Sequence, residues 1–350
     1  MKELAILKSL IEAHGISGSE QSVAEAIKKW LDPQEYEISQ DAVGNLYIKN
    51  PGREPAKKIV LDAHMDDVGV RITGVTQEGM LRFHPVGGVD EFTLPGKAVL
   101  IGKESVFGVF CIGPDPKSSP LHYRDMFIDI GCVDRASAER LVKIGDEGNF
   151  ESDFIAFGDG RLKARNFDDR VGCAIMVETL LLKLDVAYTA IFTVREEVGL
   201  YGSKVAAPKE KPDVAICLEG GGSGDIPGFD DDDRVSVLGD GPALSVRNEF
   251  SVFDVELNRR VMETAKRIGA RIQLRRGCAG GCDANSYQQL AGSAAITLAP
   301  PTRYIHTHNT VIARSDYEDA KRIVRALIEE FAAGESLREE PVKEEGYYGV

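Results

Sequence analysis

Ile59-Val60-Leu61-Asp62-Ala63-His64-Met65-Asp66-Asp67-Val68-Gly69 begins as an apolar run and ends in polar residues. The run reads as a short buried strand. Residues two apart on extended chain point to the same side, so His64 and Asp66 share a face. A neutral imidazole there can ligate a cation, and a carboxylate beside it can steady the ring. Three later stretches repeat the design. Residues 187–194 run into Glu196-Glu197, residues 214–218 into Glu219, and residues 294–298 lead on to His306. Helical patterns separate them, at 171–182, in a stretch containing 203–206, at 248–269 and at 315–333, the last capped by Ser315-Asp316. This alternation predicts an α/β fold, a mixed sheet covered by helices on both faces. Ligands of such sheets gather outside the carboxyl ends of the strands.

Working outward, residues 3–13 and those after Ser17-Gly18-Ser19-Glu20 read as two amphipathic helices, and 35–50 as a hairpin. The texture changes after Gly69. To about residue 161, short β-prone segments alternate with glycine and proline turns, with one helix at 136–142. That spacing predicts a small barrel or sandwich. The expected organisation is an α/β domain of residues 1–68 and 162–335, an inserted all-β domain of 69–161, and a charged, loosely held tail of 336–350.

The totals narrow the function. The 350 residues carry a formal net charge of −14, which disfavours nucleic acid and anionic membrane as partners. Six cysteines in so long a chain do not form a disulfide framework. No run reaches the length of a signal peptide core or a membrane span. A reducing cytoplasm is the expected compartment.

The acids and histidines at the strand ends suit metal chemistry. Two histidines, His64 and His306, and three carboxylates can hold two ions about 3.5–4 Å apart with one carboxylate bridging. Asp168 joins them from a predicted helix N-terminus, where a carboxylate is favoured. One carboxylate must stay uncoordinated to accept a proton, and Glu196-Glu197 supplies the pair for that division. Asp169-Arg170 reads as a supporting salt bridge. His308 reads as a surface histidine or a neighbour of the pocket, and His14 as structural. Cys278 and Cys282 form a C-x₃-C pair with no second pair in the chain, which is poor support for a four-thiolate zinc site. Asp230-Asp231-Asp232-Asp233 reads as a solvated acidic loop or rim. No Gly-x-Ser-x-Gly elbow and no phosphate-loop lysine occur.

Several elements together make the chain resemble the M42 family of metallo-aminopeptidases. They are His14-Gly15-Ile16-Ser17-Gly18-Ser19-Glu20, Ala63-His64-Met65-Asp66, Phe127-Ile128-Asp129-Ile130-Gly131, Phe167-Asp168-Asp169-Arg170-Val171-Gly172-Cys173, Arg195-Glu196-Glu197-Val198-Gly199, Asp225-Ile226-Pro227-Gly228 and Thr302-Arg303-Tyr304-Ile305-His306. The likeness runs to about residue 333. It implies that His64 and Glu219 ligate one metal, that Asp168 bridges, and that Glu197 and His306 ligate the second. It further implies that Asp66 orients His64 and that Glu196 is the general base. The implied cofactors are two divalent ions, zinc or cobalt. The implied reaction is hydrolysis of the N-terminal peptide bond of short peptides with a free N-terminus. The implied assembly is a homo-oligomer, dimers paired through the inserted domain and built into a dodecamer. Departures from the family pattern fall at Asp67, Glu219-Gly220, Cys282 and Thr307 to Thr310, and they bear on substrate preference. The competing readings are a non-catalytic metal-binding relative and a dinuclear N-acyl amino-acid deacylase.

Overall fold

The chain was analysed as a computed structural model, which describes residues 4–114, 116, 120–230, 234–277 and 280–333. Cys278, Asp231 to Asp233 and the expected tail lie outside the described residues.

Helices α1 (Ala5–Glu12) and α2 (Gln21–Lys28) precede a hairpin, β1 (Glu37–Gln40) and β2 (Leu46–Asn50), and then β3 (Ile59–His64). The chain next forms β4 (Gly69–Val75), β5 (Leu81–Val86), β6 (Ala98–Ile101), β7 (Val106–Ile112), β8 (Met126–Asp129), α3 (Arg135–Leu141) and β9 (Glu147–Phe150). It continues through β10 (Ile155–Phe157), β11 (Arg161–Ala164), α4 (Phe167–Leu181), β12 (Tyr188–Thr193), α5 (Tyr201–Glu210), β13 (Val214–Leu218) and β14 (Gly221–Gly222). The last elements are β15 (Ala243–Ser245), α6 (Val255–Arg267), β16 (Gln273–Arg275), α7 (Ala284–Ser286), β17 (Ala294–Ala299), β18 (Pro301–Arg303), β19 (Thr310–Ala313) and α8 (Arg314–Ala333).

The main sheet has eight strands in the order β1-β2-β12-β3-β13-β17-β15-β16. Its four central strands, β12, β3, β13 and β17, are mutually parallel. Their carboxyl ends therefore meet along one edge, with Thr193 paired to His64 and Leu218 to Leu298. Alternate residues serve two cores. Ile59, Leu61, Val214 and Ile216 pack with α1, α4 and α8, whereas Val60, Ala215 and Cys217 pack with α5 and Tyr287. Both faces are covered, which is why β3 and β13 read as near-continuous apolar runs. Asp62 is the polar residue in the middle of β3, and the Tyr287 hydroxyl donates to it at 2.6 Å.

The inserted strands close into a barrel, β4-β5-β8-β7-β6-β9, around a core of its own. The expected insertion runs to residue 161, but the barrel ends at Phe150. β10 and β11 pair instead with β19 in a five-stranded sheet. The expected helix at 248–269 starts later, at Val255. Asn248 folds its side chain onto the amides of Phe250 and Ser251, and Asp254 caps the helix by accepting from Leu257 N–H at 2.8 Å. The Asp316 carboxylate accepts the distant amides of Gly239 and Gly241. The five cysteines described are free. Among the described residues no helix is long and apolar enough to cross a membrane.

Candidate active site

β3 delivers His64 and, two residues on, Asp66. Both are buried. The Asp66 carbonyl lies 2.9 Å from His64 Nδ1. A carbonyl only accepts, so Nδ1 carries the hydrogen and Nε2 is left with its lone pair. The Asp66 carboxylate then organises the turn after β12. It accepts the Glu196 amide at 2.9 Å, the Glu197 amide at 3.2 Å and the Ser17 hydroxyl at 2.6 Å. Arg195, just before the two glutamates, has a left-handed backbone with φ 56°.

Asp168 stands in the first turn of α4, at the helix N-terminus as expected, but its backbone and that of Asp169 are not helical. The peptide between them is cis. Asp168 spans the two histidines. His64 Nε2 lies 3.1 Å from its Oδ1, and His306 Nε2 lies 3.4 Å from its Oδ2. Glu219, just beyond β13, approaches His64 Nε2 at 3.4 Å, and Glu197 approaches His306 Nε2 at 3.1 Å. Gly220 allows the close passage of β13 past this point, because a Cβ there would sit 2.7 Å from the Asp168 Cα. The His306 Nδ1 also faces a carbonyl, that of Gly88, at 3.0 Å.

These donors fit metal ions. Tetrahedral bonds of about 2.0 Å place ligand atoms about 3.3 Å apart, and the four spacings above are 3.1–3.4 Å. In its neutral form each imidazole presents a bare Nε2 to the same carboxylate, whereas the carboxylates alone favour the protonated ring, the place of a cation being taken by a proton. Charge points the same way. Burial raises Glu196 well above the ordinary carboxyl range, reinforced by Glu219 and Glu197 against the relief from His64. Burial lifts Glu219 to about 7 despite its His64 contact. Burial opposes a charge on His306, yet Glu197 and Asp168 carry it up to about 11. Clustered acids at such cost call for positive charge.

The structure thus brings together His64, Asp66, Asp168, Glu196, Glu197, Glu219 and His306. The Asp169–Arg170 bridge is replaced by other contacts. Arg170 runs to Asp67 at 3.6 Å and to the carbonyls of Leu10 and Met65, while Asp169 accepts the Gly172 amide at 2.9 Å. Asp169 Oδ2 is buried without a hydrogen-bond partner, and its carboxylate can also group with His64 and Glu219. That addition was not foreseen, although its place beside Asp168 was the available signal. Asp67 accepts from Asn166 Nδ2 at 2.8 Å and leaves its Oδ1 unpaired. His308 is neither at the surface nor in the pocket, being buried against the barrel.

A cavity of about 510 Å³ opens over these residues. Its other walls include Leu200, Phe250, Arg275, Cys282 and Ile305. Arg303, on β18, makes a two-pronged contact with Asp225 at 2.7 and 2.8 Å. The arrangement can hold two cations, leave Glu196 for proton transfer, and admit a short chain.

Comparison with known proteins gives a consistent picture. A protein of Acetivibrio thermocellus, provisionally named an aminopeptidase, is 35% identical over 92% of this chain and 97% of its own. The TET aminopeptidase of the marine sediment archaeon Thaumarchaeota archaeon SCGC AB-539-E09 superposes with a TM-score of 0.88 at 31% identity, over 95% of this chain and 98% of that one. The Pyrococcus horikoshii TET1 peptidase, which can assemble into a tetrahedron or a large octahedral shell, superposes with a TM-score of 0.82 at 30% identity, over 93% and 98%. The family model for M42 glutamyl aminopeptidase matches residues 44–323, and the chain belongs to that family.

Proposed function

We propose that this aminopeptidase removes the N-terminal residue of short peptides with two divalent ions, zinc or cobalt, in the cavity. The observation that carries the reading is Asp168 placed between two imidazoles, each with its Nε2 turned inward. His64, Asp168 and Glu219 would hold one ion, and Asp168, Glu197 and His306 the other. When bound, such ions supply Lewis acidity to the scissile carbonyl and lower the pKa of a neighbouring water.

The remaining work belongs to side chains. Glu196 takes the proton of the attacking water and later returns it to the departing amine. Its neighbour Glu197 is committed to His306, which leaves Glu196 unencumbered for this role. Asp66 fixes both glutamates through their amides, so base and ligand keep their relative places. The walls admit an extended chain end, and an internal bond offers no free α-amine to the charged floor. In the cell the chain works as a homo-oligomer, dimers joined into a dodecamer, a reading supported by the tetrahedral assembly that the Pyrococcus horikoshii TET1 peptidase can form.

The test is Glu196→Gln, read on a panel of free and N-acylated aminoacyl p-nitroanilides with added zinc or cobalt. Wild-type protein should cleave the free amines, and kcat should fall about 10²- to 10⁴-fold in the variant while both ions still bind. Full turnover in E196Q removes Glu196 as base. Preference for acylated substrates replaces the aminopeptidase reading with deacylation.

A further inference from the structure

The two imidazoles are steadied from different bodies. His64 gives its Nδ1 hydrogen to the Asp66 carbonyl, within its own loop. His306 gives its Nδ1 hydrogen to Gly88, in the segment between β5 and β6 of the barrel. The turn that carries His306 is unfavourable in itself. Tyr304 and His306 both have left-handed backbones, with φ 56° and 60°. Such residues persist only where surroundings hold them.

The barrel supplies much of that hold. The buried His308 donates from Nε2 to the Ala98 carbonyl at 3.0 Å. Its ring lies on Phe150, centroids 4.1 Å apart and planes 18° apart, and meets Phe110 edge-on at 6.0 Å. Phe110 and Phe150 are both barrel core residues. Asn309 accepts from Ser152, just past β9, at 3.0 Å. Gly88 approaches so closely that a Cβ there would stand 3.1 Å from His306 Nδ1 and 3.4 Å from its Cε1. Gly87, with φ 79°, packs likewise towards Glu197, whose Cβ would be 3.3 Å away.

We infer that the inserted barrel is a positioning body for His306, with Gly88 and His308 as positioning residues that hold its ring and tautomer. The inference rests on the two-ion reading above. One ligand group, His64 with Asp168 and Glu219, is then built within the α/β part. The other, His306 with Asp168 and Glu197, is built across the α/β part and the barrel. The two ions therefore differ in what they depend on, and damage at the barrel contact weakens one and spares the other.

The experiment titrates metal-free wild-type, Gly88→Ala and His308→Ala chains with Zn²⁺ by calorimetry. Ion content is read by mass spectrometry, and the visible spectrum is recorded with Co²⁺. Glu139→Ala, on the exposed side of α3, is the barrel control. Gly88 does not have a positive φ, so alanine leaves the barrel backbone unstrained and acts on the His306 ring. Wild type and E139A should bind two ions. G88A and H308A should keep one at wild-type affinity and bind the other about 10- to 100-fold more weakly, with half the Co²⁺ band changed. Should H308A fail to fold, G88A alone decides. Two ions at wild-type affinity in G88A, or equal weakening of both, overturn the inference while leaving the two-ion reading intact. A wild-type chain that binds one ion or none overturns that reading and the inference with it.

Discussion

Asp66 shows how much of the site one carboxylate can set. Its two oxygens accept three hydrogen bonds, from Glu196, Glu197 and Ser17, and it is fully buried beside His64. Burial works against its charge, but His64, Ser17 and the Glu196 amide keep it below the ordinary carboxylate range. An asparagine would keep the shape and lose one acceptor. Its amide group would then face another donor, either a backbone N–H or the serine. Leaving a buried donor unmet costs about 1–3 kcal/mol, and the Glu196-Glu197 turn would move. Asp66→Asn should therefore lower kcat about 10- to 100-fold and lower the unfolding midpoint in urea. Wild-type kcat in a stably folded D66N would show that the turn is held by other means. Gly220 makes a related point by absence of a side chain, since Glu219 reaches its place only because no Cβ separates that strand end from Asp168.

At the scale of elements, the connection from α1 to α2 wraps the end of β3. Asp67 N–H donates to the Gly15 carbonyl at 3.0 Å, and Ser17 N–H donates to the Asp67 carbonyl at 3.3 Å. His14 sits half-buried in that connection. Burial first, then Arg165 and Arg170 against the pull of Asp67, lowers its pKa from 6.5 to about 4. Between those values the unfolded chain binds the extra proton and the folded chain does not. Stability is thus fully present above pH 6.5 and is lost as pH falls towards 4. His14→Gln should reduce the loss of unfolding free energy between pH 7 and pH 5 by about 1 kcal/mol, after solvent screening of a partly exposed group. Identical pH slopes for H14Q and wild type in urea melts would remove His14 from the acid response. The same scale explains what the sequence made legible. β3, β12 and β13 are buried on both faces, so their apolar runs announce them, and the acids that follow stand out. The start of α6 was hidden because Asn248 to Asp254 are spent on a side-chain turn and a cap. β10 and β11 resemble barrel strands in composition, and only their pairing with β19 assigns them elsewhere. His308 and Gly88 could not be read, because one acts through rings distant in sequence and the other through a carbonyl that every residue has.

For the whole molecule, the barrel matters on its outer side as well. Val133, Leu141 and Ile144, on and beside α3, are 87%, 52% and 71% exposed, and Phe107 on β7 is 58% exposed. Scattered apolar residues on a surface need no explanation, but three within twelve residues on and beside one small helix suit a contact between copies. That placement agrees with the assembly proposed above, in which dimers form through the inserted domain. A symmetric pair would bring the same side chains of two chains together, so a charge placed there is met by its own copy. The double variant Val133→Glu/Ile144→Glu should therefore break the contact without reaching the barrel core or the cavity. Light scattering of the wild type should give a mass of about 460 kDa, twelve copies of the 38.1 kDa chain. The variant should fall to a much smaller species and retain two bound ions per chain. A wild-type monomer at every protein concentration tested ends the proposal of assembly. A variant that stays at the wild-type mass moves the contact to another face of the barrel or to the α/β part.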